Sequence, residues 1–273
     1  MALGGAVVLL AGCAQRPSAD PAAPDAEQRY SVTTMVLESP DHGPQLRLGG
    51  VLESYPPQCG GPDVAGFDWA DVDGEESSGG TTWADLALTG TWDGDSLTLT
   101  EPPGPAERDE PDLSGDPFAS PCDPPAGGWA VTDAATATEN GMHAAIEYAR
   151  AQEGHAGVWL DSLSDVAEER PFDAADVVLN ARFTGDLERH EEGMRRFWGG
   201  PLCVTAAERS LADVQALERR VAAELDDVVS SSADEVTGVV TVTVTVADEQ
   251  LREQIRADHG DSVEVDGVLQ PVD

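Results

Sequence analysis

Lysine is absent from this chain of 273 residues: all 15 basic side chains are arginine, set against 52 aspartates and glutamates, for a formal net charge of −37. A field of that sign repels phosphate backbones and anionic headgroups, which removes nucleic acid from the list of partners. Arginine without lysine, alongside abundant Ala, Gly, Asp and Val, reads as a coding bias of the host rather than a device of mechanism. No two cysteines stand at C-x-x-C spacing, and the five histidines form no H-x-H or H-x-x-x-H pair, so the sequence gives a zinc site no support. No G-x-S-x-G elbow occurs. Gly94-Asp95-Ser96 and Gly260-Asp261-Ser262 do not continue as the Gly-Gly of a serine-protease nucleophile loop, and both read as turns. No cofactor motif is found, and the chain is expected not to be an enzyme.

Long apolar runs are also missing, with one exception. Residues 7–15 read VVLLAGCAQ, the end of an apolar segment too short to span a bilayer, which takes about 20 residues. Its length suits the h-region of a secretory signal. Leu10-Ala11-Gly12-Cys13 resembles the bacterial lipobox, which implies that the Cys13 thiol takes a diacylglyceryl group and becomes the mature N-terminus. Two acyl chains hold a protein to a bilayer stably, whereas one binds marginally. No basic residue precedes the run, a departure from the pattern that an upstream start would explain. The residues after Cys13 are rich in Pro, Ala and Asp, a tether composition rather than a packed one. The expected organisation is therefore a signal peptide over 1–12 and a lipid-anchored tether over 13–29.

Hydrophobic periodicity predicts a small antiparallel β domain, barrel or sandwich, over 30–100. Extended segments are expected at Val32–Leu37, Gln45–Val51 and Leu86–Gly90, with a hairpin over 91–100 turning at Asp93-Gly94. Residues 101–128, dense in Pro, Gly and acids, read as a linker. Beyond it the period alternates between helix and strand, which predicts an α/β domain over 129–273. Helices are expected at Glu139–Gln152, Leu187–Trp198 and Leu211–Leu225, the last capped by Ser210 and Asp213. Strands are expected at Val158–Asp161, Val177–Phe183 and Leu202–Thr205.

Within this half the chain matches itself. A shift of 61 positions lays residues 178–204 over 239–265, with Leu179, Ala181 and Phe183 on Val240, Val242 and Val244, and Leu202 and Val204 on Val263 and Val265. His190 and Met194 fall on Leu251 and Ile255, and Gly199 falls on Gly260. Each copy reads strand, helix, strand. The expected fold class is α+β: a β domain followed by an α/β domain of two βαβ-like units.

Setting Cys13 aside leaves three thiols, so one remains unpaired in an exported chain. Cys122–Cys203 is the favoured bridge, because it would fasten the linker to a short strand of the second domain; Cys59–Cys122 is the competing choice. The densest acidic cluster, around Asp68-Trp69-Ala70-Asp71-Val72-Asp73-Gly74-Glu75-Glu76, fails the EF-hand template, since Gly74 as sixth residue puts Trp69 first and Gly80 twelfth. An acidic turn is the stronger reading, with weak calcium binding at Asp71, Asp73 and Glu75 the other. His190 shares the apolar face of its helix with Leu187, Met194 and Phe197, as a packing residue rather than a ligand. Two or three of the six tryptophans, exposed together in the first domain, would stack on cell-wall sugars; packing is the default for each.

The stretches Pro44-Gln45-Leu46-Arg47-Leu48-Gly49-Gly50-Val51, Tyr55-Pro56-Pro57-Gln58-Cys59-Gly60-Gly61-Pro62 and Gly66-Phe67-Asp68-Trp69 resemble a set of uncharacterised actinobacterial exported proteins, many of them lipoproteins. That resemblance implies a cysteine where Arg47 stands, so the partner of Cys59 has been lost and Cys59 is the free thiol. A looser similarity, from Phe183-Thr184-Gly185-Asp186 through Arg209-Ser210-Leu211-Ala212-Asp213-Val214, is to N-terminal regions of secreted trypsin-like proteases. The leading functional expectation is a non-catalytic binding or structural lipoprotein on the outer face of the cell membrane, with the membrane and a protein or cell-wall glycan as partners. The second similarity suggests an inhibitor or folding partner of a secreted serine protease, and a hydrolase with an unrecognised site is the third reading.

Overall fold

The computed structural model describes residues 28–50, 54–58, 60–106, 116–163 and 171–272, and its fold is α+β. Seven strands come first: β1 (Arg29–Ser39), β2 (His42–Leu46), β3 (Asp63–Ala65), β4 (Glu76–Ser78), β5 (Thr81–Trp92), β6 (Ser96–Leu99) and β7 (Gly104–Pro105). β1 lies antiparallel to β5 along ten residue pairs and to β2 at its C-terminal end. Pairings then run from β2 to β3, from β3 in parallel to β6, and from β6 back to β5. The ring β1-β2-β3-β6-β5 thus returns on itself as a small barrel, mostly antiparallel, which removes the open edges that an isolated sheet of this size would carry. Val32 and Val36 of β1, Leu46 of β2, Leu86 and Leu88 of β5 and Leu97 of β6 fill its centre. Gly90 lets β6 lie close against β5: a β-carbon there would stand 2.3 Å from the Thr98 carbonyl oxygen. The hairpin between these strands turns at Asp93-Gly94, as the sequence predicts, with Trp92 opposite Leu97. The strand expected at Gln45–Val51 instead ends at Leu46. Gly49 and Gly50 come soon after, bringing no side chain to bury, and Val51 lies outside the described residues.

The second half contains two units of the same order. The first is α1 (Glu139–Arg150), β8 (His155–Ser162), β9 (Val177–Phe183), α2 (Leu187–Arg195) and β10 (Leu202–Ala206). The second is α3 (Leu211–Glu224), β11 (Val228–Ala233), β12 (Val240–Val246), α4 (Glu249–His259) and β13 (Val263–Val272). In each, the first strand is antiparallel to the second and the second is parallel to the third. Leu202 stands opposite Leu179 and Val263 opposite Val240, so the register itself repeats at 240 − 179 = 263 − 202 = 61 positions. Each unit buries its own face: Leu179, Ala181, Phe183, Met194 and Trp198 in the first, Val240, Val242, Val244, Ile255 and Val265 in the second. α3 packs on β11 and β12 and also touches β8, linking the units.

Local chemistry sets the helix ends. Ser210 and Asp213 form the expected capping box, Ser210 Oγ accepting the Asp213 N–H at 3.2 Å and the Asp213 carboxylate accepting the Ser210 N–H at 3.4 Å. Such a cap contributes about 1 kcal/mol. α1 and α2 stop a turn or less before the expected ends at Gln152 and Trp198. Past α2, the Phe197 and Trp198 N–H groups both bond to the Met194 carbonyl, and the indole of fully buried Trp198 donates to the Pro201 carbonyl at 2.7 Å. That indole bond tightens the turn that leads into β10.

Two features lie beyond what periodicity predicts. Gln270, Pro271 and Val272 at the end of β13 pair with Ser31, Tyr30 and Arg29 of β1, so the second unit and the barrel share one sheet, and Leu269 is buried in the barrel core. The segment expected to be a linker also takes part in the fold. Gly104–Pro105 pairs with β5, and residues around 118–122 lie on the first unit.

Candidate functional site

Alternation along β8, β9 and β10 puts Trp159, Asn180 and Cys203 in one row, each opposite the next, on the face turned away from α1 and α2. The segment around residues 118–122 covers this row. Cys122 bridges Cys203 with Cα atoms 5.9 Å apart, the Trp159 indole donates to the Phe118 carbonyl at 3.0 Å, and the Ser120 N–H donates to the Asp161 carboxylate at 2.8 Å. The favoured disulfide is therefore present, and it fastens the segment where expected. Asn180 is fully buried under it, donating to the Val178 carbonyl at 3.1 Å. In the second unit the corresponding face carries Ser232, Thr241 and Glu264, polar residues that need no cover. Cys13 and Cys59 lie outside the described residues.

His155 and His190 are packing residues here. His190 stacks on Phe183 with ring centroids 4.1 Å apart and planes 12° from parallel, while His155 meets the same ring edge-on at 6.2 Å. Burial holds both imidazoles below their ordinary pKa, with Arg150 adding to the effect at His155 and Arg189 at His190, where Asp186 opposes it. Both are neutral at pH 7.

Each of the two serines that invited a catalytic reading is otherwise engaged, Ser96 in a turn and Ser262 by a distant arginine. The Asp93 carboxylate accepts the Asp95 and Ser96 N–H groups and the Ser96 hydroxyl, and these bonds hold its pKa below the usual range. Ser262 Oγ accepts from the Arg209 guanidinium.

Three concavities bear on ligand binding. A groove of about 690 Å³ on the barrel is lined by Asp71 and Asp73 together with Glu76, Asp85 and Trp83; Glu75 does not line it. Among the described residues, no three His, Cys, Asp or Glu side chains come together as a metal-holding group. A second cleft, of about 670 Å³, opens at the start of α2 and α3 beside His190. The third, of about 420 Å³, lies between the two units and receives Arg182 and Arg209. Sequence reasoning missed these two arginines. A signal for Arg182 was available in β9, where Asn180 and Arg182 alternate with Leu179, Ala181 and Phe183, a polar residue pair on a strand face that something must cover; nothing local marked Arg209. None of the six tryptophans is fully exposed: Trp83, Trp159 and Trp198 are buried and Trp69, Trp92 and Trp129 half-buried. The exposed aromatic beside Trp83 is Tyr55, edge-on at 5.6 Å.

No protein-family model matches this chain, and no curated protein matches it either.

Proposed function

We propose that the chain is an exported lipoprotein, anchored through Cys13 at the outer face of the membrane, whose folded part serves as a non-catalytic binding or structural module. The observation that carries this reading is the Cys122–Cys203 disulfide, which is built into the cover of a sheet face. Disulfides persist where thiols are not kept reduced, outside the cytosol. The lipobox-like Leu10-Ala11-Gly12-Cys13 and the tether composition after it support the same address. Among the described residues no helix is long and apolar enough to cross a membrane, so attachment in this reading rests on lipid.

Growth with radiolabelled palmitate tests the anchor. Label is expected in the wild type and not in Cys13→Ser. Equal labelling of the two, or a native product whose mass shows an unmodified Cys13 on an uncleaved chain, removes the anchor from the proposal.

A further inference from the structure

Arg182 and Arg209 approach the cleft between the units from different elements, one from β9, the other from the turn before α3. Both are half-buried. Each has one bond to a neutral acceptor across the junction: Arg182 Nη1 donates to the Val236 carbonyl and Arg209 Nη2 to Ser262 Oγ. Among the described residues neither guanidinium has a carboxylate within 4.0 Å. Among the described arginines only Arg29, Arg189 and Arg195 have such a partner; what matters here is that two half-buried guanidinium groups line one cleft. A guanidinium carries five N–H donors in a fixed fork, and partly desolvated donors without an anion are costly. The Thr237-Gly238 turn closes one side of the cleft; Gly238 has a φ of +77°, and a β-carbon there would stand 3.8 Å from Arg182 Nη1. The remaining space suits a small molecule rather than a chain.

We propose that this cleft binds the oxyanion of a small ligand, a carboxylate or a phosphate, held between the Arg182 and Arg209 guanidinium groups with Thr237 and Ser262 beside it. Planar forks match both anions, and charge-assisted bonds of this kind are about twice as strong as neutral ones. Glu208 and Asp261, exposed at the rim, oppose a ligand that is anionic throughout and favour one whose negative charge is confined to the group that enters. This site is independent of the anchor reading.

The test titrates the full chain, disulfide intact, with inorganic phosphate and with acetate, and with chloride at matched ionic strength as the control for screening of the net charge. Calorimetry is expected to show saturable binding of at least one oxyanion and none of chloride. Backbone amide shifts should be concentrated at Thr237 and Gly238. Arg209→Gln is expected to weaken binding at least about tenfold, the loss of one charge-assisted contact, and Arg209→Lys to retain part of it. Melting curves of both variants without ligand establish that they are folded. If neither phosphate nor acetate differs from chloride, or if folded Arg209→Gln binds as the wild type does, the proposal is overturned.

Discussion

Replacing both bridged cysteines, Cys122→Ser with Cys203→Ser, is the perturbation whose size the structure sets most directly. The bridge closes a loop with a sequence separation of 81. On the chain-entropy model that constraint removes about 4.5 kcal/mol of freedom from the unfolded state at 25 °C. The native cover does not depend on sulfur alone. The Trp159–Phe118 and Ser120–Asp161 bonds remain, and Thr132 still donates to the Gly199 carbonyl at 2.7 Å through its N–H and at 3.0 Å through its hydroxyl. The double variant is therefore expected to fold with the segment in place but to lose about 3–4.5 kcal/mol. At about 2–4 °C per kcal/mol for a chain this long, its Tm should fall by about 10 °C or somewhat more. Urea unfolding followed by tryptophan fluorescence measures the loss. The slope with denaturant should rise slightly, since the uncrosslinked chain unfolds to a more expanded ensemble. A loss below about 1 kcal/mol would refute the reasoning, because it would mean that the loop is already constrained in the unfolded chain or that the bridge strains the native state by as much as it restricts the other.

Two further outcomes rest on buried groups. His155 and His190 are held neutral by burial, so the unfolded chain takes up protons that the native state refuses once the pH falls below about 6.5. Their contribution is complete above that value and is lost as the pH falls through the lower folded pKa; the urea midpoint should drop between about pH 7.5 and pH 5, and His190→Phe, which keeps the stack on Phe183, should flatten part of that drop. An unchanged slope in the variant would assign the acid sensitivity to other groups. Leu269→Ala should cost about 2–5 kcal/mol, since the side chain is fully buried. Hydrogen exchange should show the loss in the barrel strands and in β12 and β13 together; exchange that quickens in the second unit alone would mean the shared sheet is not one cooperative body.

Periodicity makes much of the architecture legible. Val177–Phe183 alternates and is a strand over those residues; Leu211 to Glu224 repeats at helical spacing behind a Ser210–Asp213 cap, and is a helix. The 61-residue shift is readable because apolar faces recur in phase even where identities do not. Places where side chains are small resist the same method: after Leu46 the Gly49-Gly50 pair carries no pattern, and the length of β2 was misjudged. The candidate groups divide along similar lines. The Cys122–Cys203 bridge was legible from position, and the carboxylates lining the barrel groove only in part, since Asp71, Asp73 and Glu76 come from one acidic stretch but Asp85 comes from β5.

What the sequence determined by itself was everything governed by near neighbours: the strand and helix periods, the caps, the Asp93 turn and the repeated order of elements. These depend on backbone propensity and on which face of a local segment is apolar. Tertiary structure alone decided that the end of β13 pairs with β1, that the supposed linker covers Trp159 and Asn180, and that Arg182 and Arg209 line one cleft. Each of those joins residues distant in the chain, and which partners meet is set by how whole faces pack, a property that no local window of residues contains.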